Sequence, residues 1–147
     1  MEGLEIMRNF ISNKLKQKLE IDFHMKILFL EEYQDRNGYT EEDVYNCAFQ
    51  CGNEIYLGKY NHENIEILCL FHEIGHIQAD KENFLGYYPC NIYQESIAWN
   101  EGIKLIKRYI KYINCKMNFN DYYSEEFKFI RQCLKSYVNS EYNDLED

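Results

Sequence analysis

The residues with the clearest chemical potential lie in LCLFHEIGHIQAD, residues 68–80, which places His72, Glu73 and His76 in an apolar stretch with helical spacing. Residues four apart on a helix share one face, so the two imidazoles can bind one cation together. H-E-x-x-H on a helix is a zinc-binding pattern in which the intervening Glu acts as general base on the attacking water. The segment therefore predicts a metal site with His72 and His76 as ligands and Glu73 as the catalytic base.

The alternative is that both histidines are ordinary helix residues with hydrogen-bond partners. Two buried imidazoles without a shared partner are costly to desolvate, which favours a metal. The opposite side of the predicted helix already accounts for its packing, because it is apolar. This side is formed by Ile67, Leu70, Ile74 and Ile77.

A third ligand is needed, because catalytic zinc has three protein ligands and one open position. Glu95 falls on the inward, apolar stripe of a predicted helix over residues 91–114, whereas Glu101 points to the other side. A carboxylate in an inward row needs a cation, or else a nearby Lys or Arg. Asp80, one turn after His76, is the rival ligand and requires a bend in its helix. The remaining members of the stripe are Trp99, Ile103, Ile106, Ile110 and Ile113.

The elements that must position these residues begin with a helix and a small sheet. Apolar residues spaced three and four apart predict an amphipathic helix over residues 3–20. HMKILFL, 24–30, predicts a strand, followed by a turn at Asn37-Gly38. Segments 44–50 and 54–58 flank a short link and predict a β-hairpin.

The rest of the chain predicts helices, at about 64–80, 91–114 and 121–139. A loop with Gly86 and Pro89 separates the first two. The fold class is therefore α+β, with a small antiparallel sheet packed on the helix of the histidines and further helices around it. We expect a single domain over residues 1–140 and an acidic tail over 141–147.

Composition excludes several classes of function. The chain has 147 residues and a formal charge of -9, which argues against binding along a nucleic-acid backbone. The start, MEGLEIMRNFISNK, carries acidic residues where a secretory signal is basic, and no run reaches the ~18 apolar residues of a membrane span. We therefore predict a cytoplasmic protein that does not bind membranes. Its 6 cysteines are interpreted as reduced thiols, since most lie in apolar segments.

Other single residues are weaker candidates. Tyr87, Tyr88 and Tyr93 lie near the start of the Glu95 helix, where a phenol could stabilise an oxyanion. His62 precedes the histidine helix and could line a cleft, while His24 is out of register with the H-E-x-x-H pattern. Trp99 is interpreted as a core residue that packs beneath the site.

The combination of HEIGH at 72–76 with QESIAW at 94–99 resembles a minimal gluzincin metallopeptidase, and more narrowly the ImmA/IrrE family of small intracellular and mobile-element proteins. The resemblance covers roughly residues 55–106 and implies a zincin-like fold. It also implies that the third ligand is a Glu on the next helix, here Glu95, and that the strand at 54–58 is a sheet edge that pairs with an extended peptide substrate. Ile97 stands where the family is often acidic, so Glu95 has no neighbouring substitute.

The resemblance implies a zinc-dependent peptidase that hydrolyses a peptide bond in a regulator or repressor protein of phage, mobile-element or stress-response type. No DNA-binding helix-turn-helix is evident in the chain, so the regulator would be a separate protein. A different class of function is a metal-stabilised, catalytically inactive interaction module. A third hypothesis, a metal-free helical adaptor, requires an accidental HEIGH match. Zn²⁺ is the predicted cofactor, although two His and one carboxylate also accept Mn²⁺ or Fe²⁺.

Overall fold

The computed structural model describes residues 7–33, 46–83 and 92–146, with side chains described for all of these except residues 33, 80–83 and 139–146. Within these ranges the chain is α+β, as predicted, with four α-helices and one three-stranded sheet. The helices are α1 (Asn13–Phe23), α2 (Glu63–Asn83), α3 (Ile92–Arg108) and α4 (Glu125–Glu146). The strands are β1 (Lys26–Phe29), β2 (Ala48–Cys51) and β3 (Glu54–Leu57).

The sheet is mixed, so the prediction of a small antiparallel sheet is wrong. Its strand order is β1-β3-β2, with β3 antiparallel to β2 across the predicted hairpin and parallel to β1. β3 is therefore the central strand, and the prediction that segment 54–58 forms a sheet edge is also wrong. Strand composition signals that a strand forms, but the partner and its direction depend on contacts between distant segments. Ile55 and Leu57 of β3 are fully buried on the face that packs against α2.

The predicted helix over residues 3–20 is confirmed from residue 13 onward, whereas residues 7–12 are not helical. α1 begins only at Asn13, where the Ser12 hydroxyl accepts a hydrogen bond from the Leu15 backbone N–H at 3.1 Å. Ser is a favoured N-cap because it satisfies one of the free N–H groups of the first turn. Upstream of this cap, Arg8 exchanges two backbone hydrogen bonds with Tyr60, at 2.9 and 2.8 Å. Residues 7–12 therefore lie across the end of β3.

A buried carboxylate on α2 explains this path of the chain. Glu66 is 0% exposed and accepts hydrogen bonds from the backbone N–H groups of Phe10, at 2.9 Å, and Ile11, at 2.6 Å. The Asn9 side-chain amide contacts Glu66 at 3.3 Å and donates to the Gly58 carbonyl at 2.7 Å. In a helix over residues 7–12 the backbone N–H groups would donate to carbonyls of the same helix and would not reach Glu66. The long-range hydrogen bonds to Glu66 therefore outweigh the local helix propensity of this segment.

The later elements follow the predicted order with shifted ends. α3 ends at Arg108 and a short 3₁₀ turn follows, which leaves Ile110 48% exposed, so its predicted inward position is wrong. α4 begins at Glu125 and continues to Glu146, through most of the segment assigned to an acidic tail. The predicted turn at Asn37-Gly38 and the loop at Gly86 and Pro89 lie outside the described residues. No helix in the described ranges is long and apolar enough to cross a membrane.

We predict that Glu66→Ala lowers the free energy of unfolding by about 2–4 kcal/mol, because buried N–H donors lose their acceptor and a cavity opens. Urea denaturation followed by circular dichroism measures this change. Glu63→Ala is the matched control, since it removes another carboxylate from the first turn of α2 and should cost less than about 1 kcal/mol. Equal losses in the two variants would contradict the anchoring role of Glu66.

Candidate metal centre

The two histidines of the H-E-x-x-H pattern lie side by side on α2. Their rings approach edge to face with 4.6 Å between centroids. His72 is buried, at 8% exposure, and the side chain of His76 is 20% exposed. The predicted apolar side of the helix is confirmed, because Ile67, Leu70, Ile74 and Ile77 are all buried.

Two glycines bring the backbone of α3 against α2 next to these histidines. A Cβ at Gly75 would lie 2.1 Å from the Ala98 carbonyl oxygen, and one at Gly102 would lie 2.8 Å from the Phe71 carbonyl oxygen. Real Cβ atoms essentially never come within 3.0 Å of such neighbours. The backbone of each helix therefore occupies space that a side chain at the glycine of the other helix would need. The helices can therefore pack at backbone contact only because both residues are glycine.

This close packing carries Glu95 of α3 between the two imidazoles. Glu95 is 2% exposed, which confirms the predicted inward direction of its side chain. Its Oε2 lies 2.7 Å from His72 Nε2, and its Oε1 lies 3.2 Å from His76 Nε2. One carboxylate thus faces both Nε2 atoms, and the described residues offer His72, His76 and Glu95 as a group that could hold a metal ion.

The geometry and chemistry of this group fit a divalent cation. The three ligand atoms all lie within 4.8 Å of one another. Ligand atoms around a tetrahedral zinc at ordinary bond lengths are roughly 3.3 Å apart, which is compatible with that limit. Burial lowers the pKa of His72, and the hydrogen bond with Glu95 opposes that shift without reversing it. A neutral imidazole has the free lone pair that a metal needs. The buried carboxylate of Glu95 also carries negative charge that a cation would compensate.

Glu73, the predicted base, lines a cavity of about 350 Å³ together with His72 and Glu95. We call this space the metal cavity. Burial raises the pKa of Glu73 to about 7, while the nearby His76 acts in the opposite direction. A bound cation would favour the ionised carboxylate. Glu73 is thus placed beside the metal group with access to an open space.

Trp99 supports the histidine pair from α3, as predicted for a core residue beneath the site. It is 5% exposed, and its ring stacks on the His72 ring with 4.0 Å between centroids and 22° between planes. Stacking restricts rotation of the imidazole and fixes the direction of its Nε2 atom. Trp99 Nε1 and His72 Nδ1 are buried atoms without a hydrogen-bond partner among the described residues.

Sequence reasoning missed the remaining walls of the metal cavity. Cys69 lies one turn before His72 on α2, so its helical spacing was a usable signal. The other walls come from the start of β2 and from α4, which no local pattern connects to the histidines. These residues are Asn46, Cys47, Ala48, Phe129, Cys133, Ser136 and Tyr137. The five described cysteines form no disulfide with one another, in agreement with the prediction of reduced thiols, although Cys51 is exposed.

Several candidates from the sequence lie elsewhere. His62 is exposed and lines a separate cavity between α2 and α4, while His24 forms the C-cap of α1 with φ of 50°. Tyr93 is 67% exposed, and Glu101 contacts Lys104 at 3.3 Å on the surface of α3. The side chain of Asp80 and residues Tyr87 and Tyr88 lie outside the described part of the chain.

Comparison of the chain with protein-family models, curated proteins and solved structures finds no match. The resemblance to ImmA/IrrE proteins thus stays a prediction. The physical support for the site is the juxtaposition of His72, His76 and Glu95 beside Glu73.

We predict that the metal-free protein binds about one Zn²⁺ per chain and that Glu95→Ala weakens this binding more than a hundredfold. Removing residues that merely orient ligands costs about 10–100-fold, so loss of a ligand should cost more. Zn²⁺ titration can follow the fluorescence of Trp99, the single tryptophan, which stacks on a ligand. Glu101→Ala, on the same helix, should bind like wild type, and an unchanged affinity in Glu95→Ala would refute this ligand assignment.

We also predict that Gly75→Ala lowers the free energy of unfolding by about 3 kcal/mol or more and weakens Zn²⁺ binding, because α2 and α3 must separate. Gly102→Ala, with its less severe contact, should cost about 1–3 kcal/mol. Gly52→Ala is the control, since its φ is +61° but nothing lies within 4 Å of the added Cβ. It should cost about 1 kcal/mol of backbone strain and leave Zn²⁺ binding unchanged. Urea denaturation and the same titration measure both effects.

Proposed function

We propose that this protein is a zinc-dependent metallopeptidase with a zincin-like fold, similar to the ImmA/IrrE family. The observation that carries the proposal is the Glu95 carboxylate held between His72 Nε2 and His76 Nε2, beside Glu73 and an open cavity. His72, His76 and Glu95 would supply the three protein ligands that a catalytic zinc uses beside one position for water or substrate.

The chemistry that Zn²⁺ supplies at such a site is polarisation of a substrate carbonyl and activation of water as a nucleophile. Glu73 accepts a proton from the attacking water and then donates it to the nitrogen of the departing amine. His72, His76 and Glu95 would hold the cofactor, and Trp99 would keep the His72 ring in its binding orientation by stacking on it. The buried setting strengthens each of these electrostatic interactions, because little water competes within the site.

An extended peptide is the expected substrate, and the position of β2 supports this. Among the described residues β2 is an edge strand of the sheet, and Ala48 at its start lines the metal cavity together with Asn46 and Cys47. An edge strand offers unpaired backbone groups to an extended chain. We therefore propose that the substrate pairs with β2, in place of the strand at 54–58. The substrate would be a separate regulator or repressor protein in the cytoplasm.

The burial of the ligands favours a second candidate, a metal-stabilised interaction module without catalysis. His72 and Glu95 are only 8% and 2% exposed, as in sites where a metal joins two helices for stability. Such a module has no need for a carboxylate at Glu73, which is why we place the peptidase first.

We predict that Glu73→Gln keeps Zn²⁺ and lowers peptide hydrolysis by about 10²–10⁴-fold, because the amide cannot accept the proton from water. The assay incubates Zn²⁺-loaded protein with a mixed peptide library and identifies new termini by mass spectrometry. Glu101→Gln is the matched control and should cut like wild type.

Full turnover by Glu73→Gln would eliminate this mechanism. If the Zn²⁺-loaded wild type cuts no peptide and no regulator protein, the interaction module becomes the better explanation.

A further inference from the structure

We propose that one surface of this protein is a docking site for a short segment of a partner protein that carries both carboxylates and aliphatic side chains. The surface joins α1 to the end of α3 and the 3₁₀ turn after it, and we call it the basic patch. Its four cations are Lys14, Lys18, Arg108 and Lys111. None of them lines the metal cavity, so the inference goes beyond the proposed function and does not depend on zinc.

One half of the basic patch is a stripe along the exposed side of α1. Lys14, Lys18 and Ile21 are spaced four and three residues apart, so they share one face of the helix. All three are exposed, while Leu15 and Leu19 turn into the core. From Lys14 to Ile21 the stripe runs roughly 10 Å along the helix axis.

An aromatic ring brings cations of the two segments together. The Lys14 ammonium group of α1 and that of Lys111 in the 3₁₀ turn each lie 5.6 Å from the centre of the Tyr112 ring. Neither lysine forms an ion pair with any residue that the structure describes. Their like charges repel each other, and a carboxylate bound between them would remove that repulsion.

The Asp22 carboxylate connects the same two segments. It lies 3.4 Å from Lys18 Nζ and accepts a hydrogen bond of 2.6 Å from the Tyr109 hydroxyl. That hydrogen bond lowers the pKa of Asp22, and the nearby charges of Lys18 and Arg108 add to the shift. Four cations around this acid leave a surplus of positive charge, on a chain whose formal charge is -9.

The charge of the remaining surface favours a short partner segment over an extended anion. A long nucleic acid or an anionic membrane would also approach the acidic remainder of the molecule and be repelled by it. A short segment can contact the basic patch alone, and repulsion by the rest of the surface directs it there.

Exposed aliphatic side chains make a protein segment a better fit than a short nucleic acid. Ile21 precedes Asp22 and is 70% exposed, and Ile110 follows Tyr109 and is 48% exposed. The two isoleucines therefore flank the hydrogen bond that joins the two segments. Phosphate oxygens gain nothing from such groups, whereas a segment with carboxylates and leucine-like residues satisfies both the cations and the apolar surface.

The test measures the binding of fluorescent peptides to the full chain by fluorescence anisotropy. The probe is a capped repeat of Glu-Leu-Asp-Leu of about 12 residues, long enough to cross the patch. One comparison peptide has serine in place of every leucine, and another has lysine in place of every acid. The probe should bind at least about tenfold more tightly than either comparison peptide, and its affinity should fall as salt is added.

Two other anions are tested as unlabelled competitors of the bound probe. These are oligothymidylate and vesicles that contain phosphatidylserine, each added at the same concentration of anionic groups as the unlabelled probe. The unlabelled probe should displace the fluorescent one at least about tenfold more effectively than either competitor.

A double variant assigns the binding to the basic patch. Lys14→Glu with Lys111→Glu reverses the charges around Tyr112 and should weaken binding of the probe about tenfold or more. Lys128→Glu with Lys135→Glu is the matched control, because it makes the same change in net charge at exposed positions of α4. The control should bind the probe several times more tightly than the patch variant does.

A second double variant tests the apolar part of the surface. Ile21→Ser with Ile110→Ser should lower the affinity for the probe to that of the serine peptide, because the leucines of the probe lose their contacts. Both isoleucines are exposed, so the variant should keep the wild-type fold, which circular dichroism checks.

The proposal is overturned if the probe binds no more tightly than the serine or lysine peptide, or if the patch variant binds like its α4 control. Equal or better competition by oligothymidylate would identify a nucleic-acid site, and by vesicles a membrane site, and either result rejects a protein partner. None of these measurements needs zinc or peptide hydrolysis, so their failure would leave the metallopeptidase proposal standing.

Discussion

Backbone contact between α2 and α3 is the constraint on which the metal group depends. Gly75 and Gly102 remove the side chains that would separate the helices, so the Ala98 and Phe71 carbonyl oxygens approach the opposing backbone directly. Only at this spacing does the short reach of a Glu side chain place Glu95 within hydrogen-bond distance of both Nε2 atoms. Any change that separates the helices removes one ligand from the other two.

Two buried carboxylates, Glu66 and Glu95, have different kinds of polar partner in this fold. Glu66 is surrounded by N–H donors from residues 9–11, and its role is to hold the N-terminal segment against α2. Glu95 faces two imidazole nitrogens, and burial lowers the pKa of one of these rings, His72, which leaves carboxylate charge for a cation to compensate. Burial alone therefore does not identify a functional acid, whereas the chemistry of its partners does.

The elements around the metal group give it the form of a cleft. Among the described residues β2 is an edge strand whose start lines the cavity, and α4 contributes Phe129, Cys133, Ser136 and Tyr137 to the lining. Glu73 lines the same cavity from the helix that carries the histidines. α2 and α3 thus bring the candidate metal group together, and β2 and α4 complete the cavity beside it.

Local periodicity in the sequence by itself determined the histidine pair, the apolar side of α2 and the inward direction of Glu95. These features depend on residues within a few turns of one helix, where 3.6-residue geometry fixes the relative directions of side chains.

The tertiary structure alone decided the start of α1, the central place of β3 and the walls of the metal cavity. Glu66 takes the N–H groups of residues 10 and 11 from a distance of more than fifty residues. Cys133 of α4 reaches the cavity only through the packing of the final helix. Such outcomes depend on which segments meet in space, and several pairings satisfy the same local pattern, so a short stretch of sequence does not choose between them.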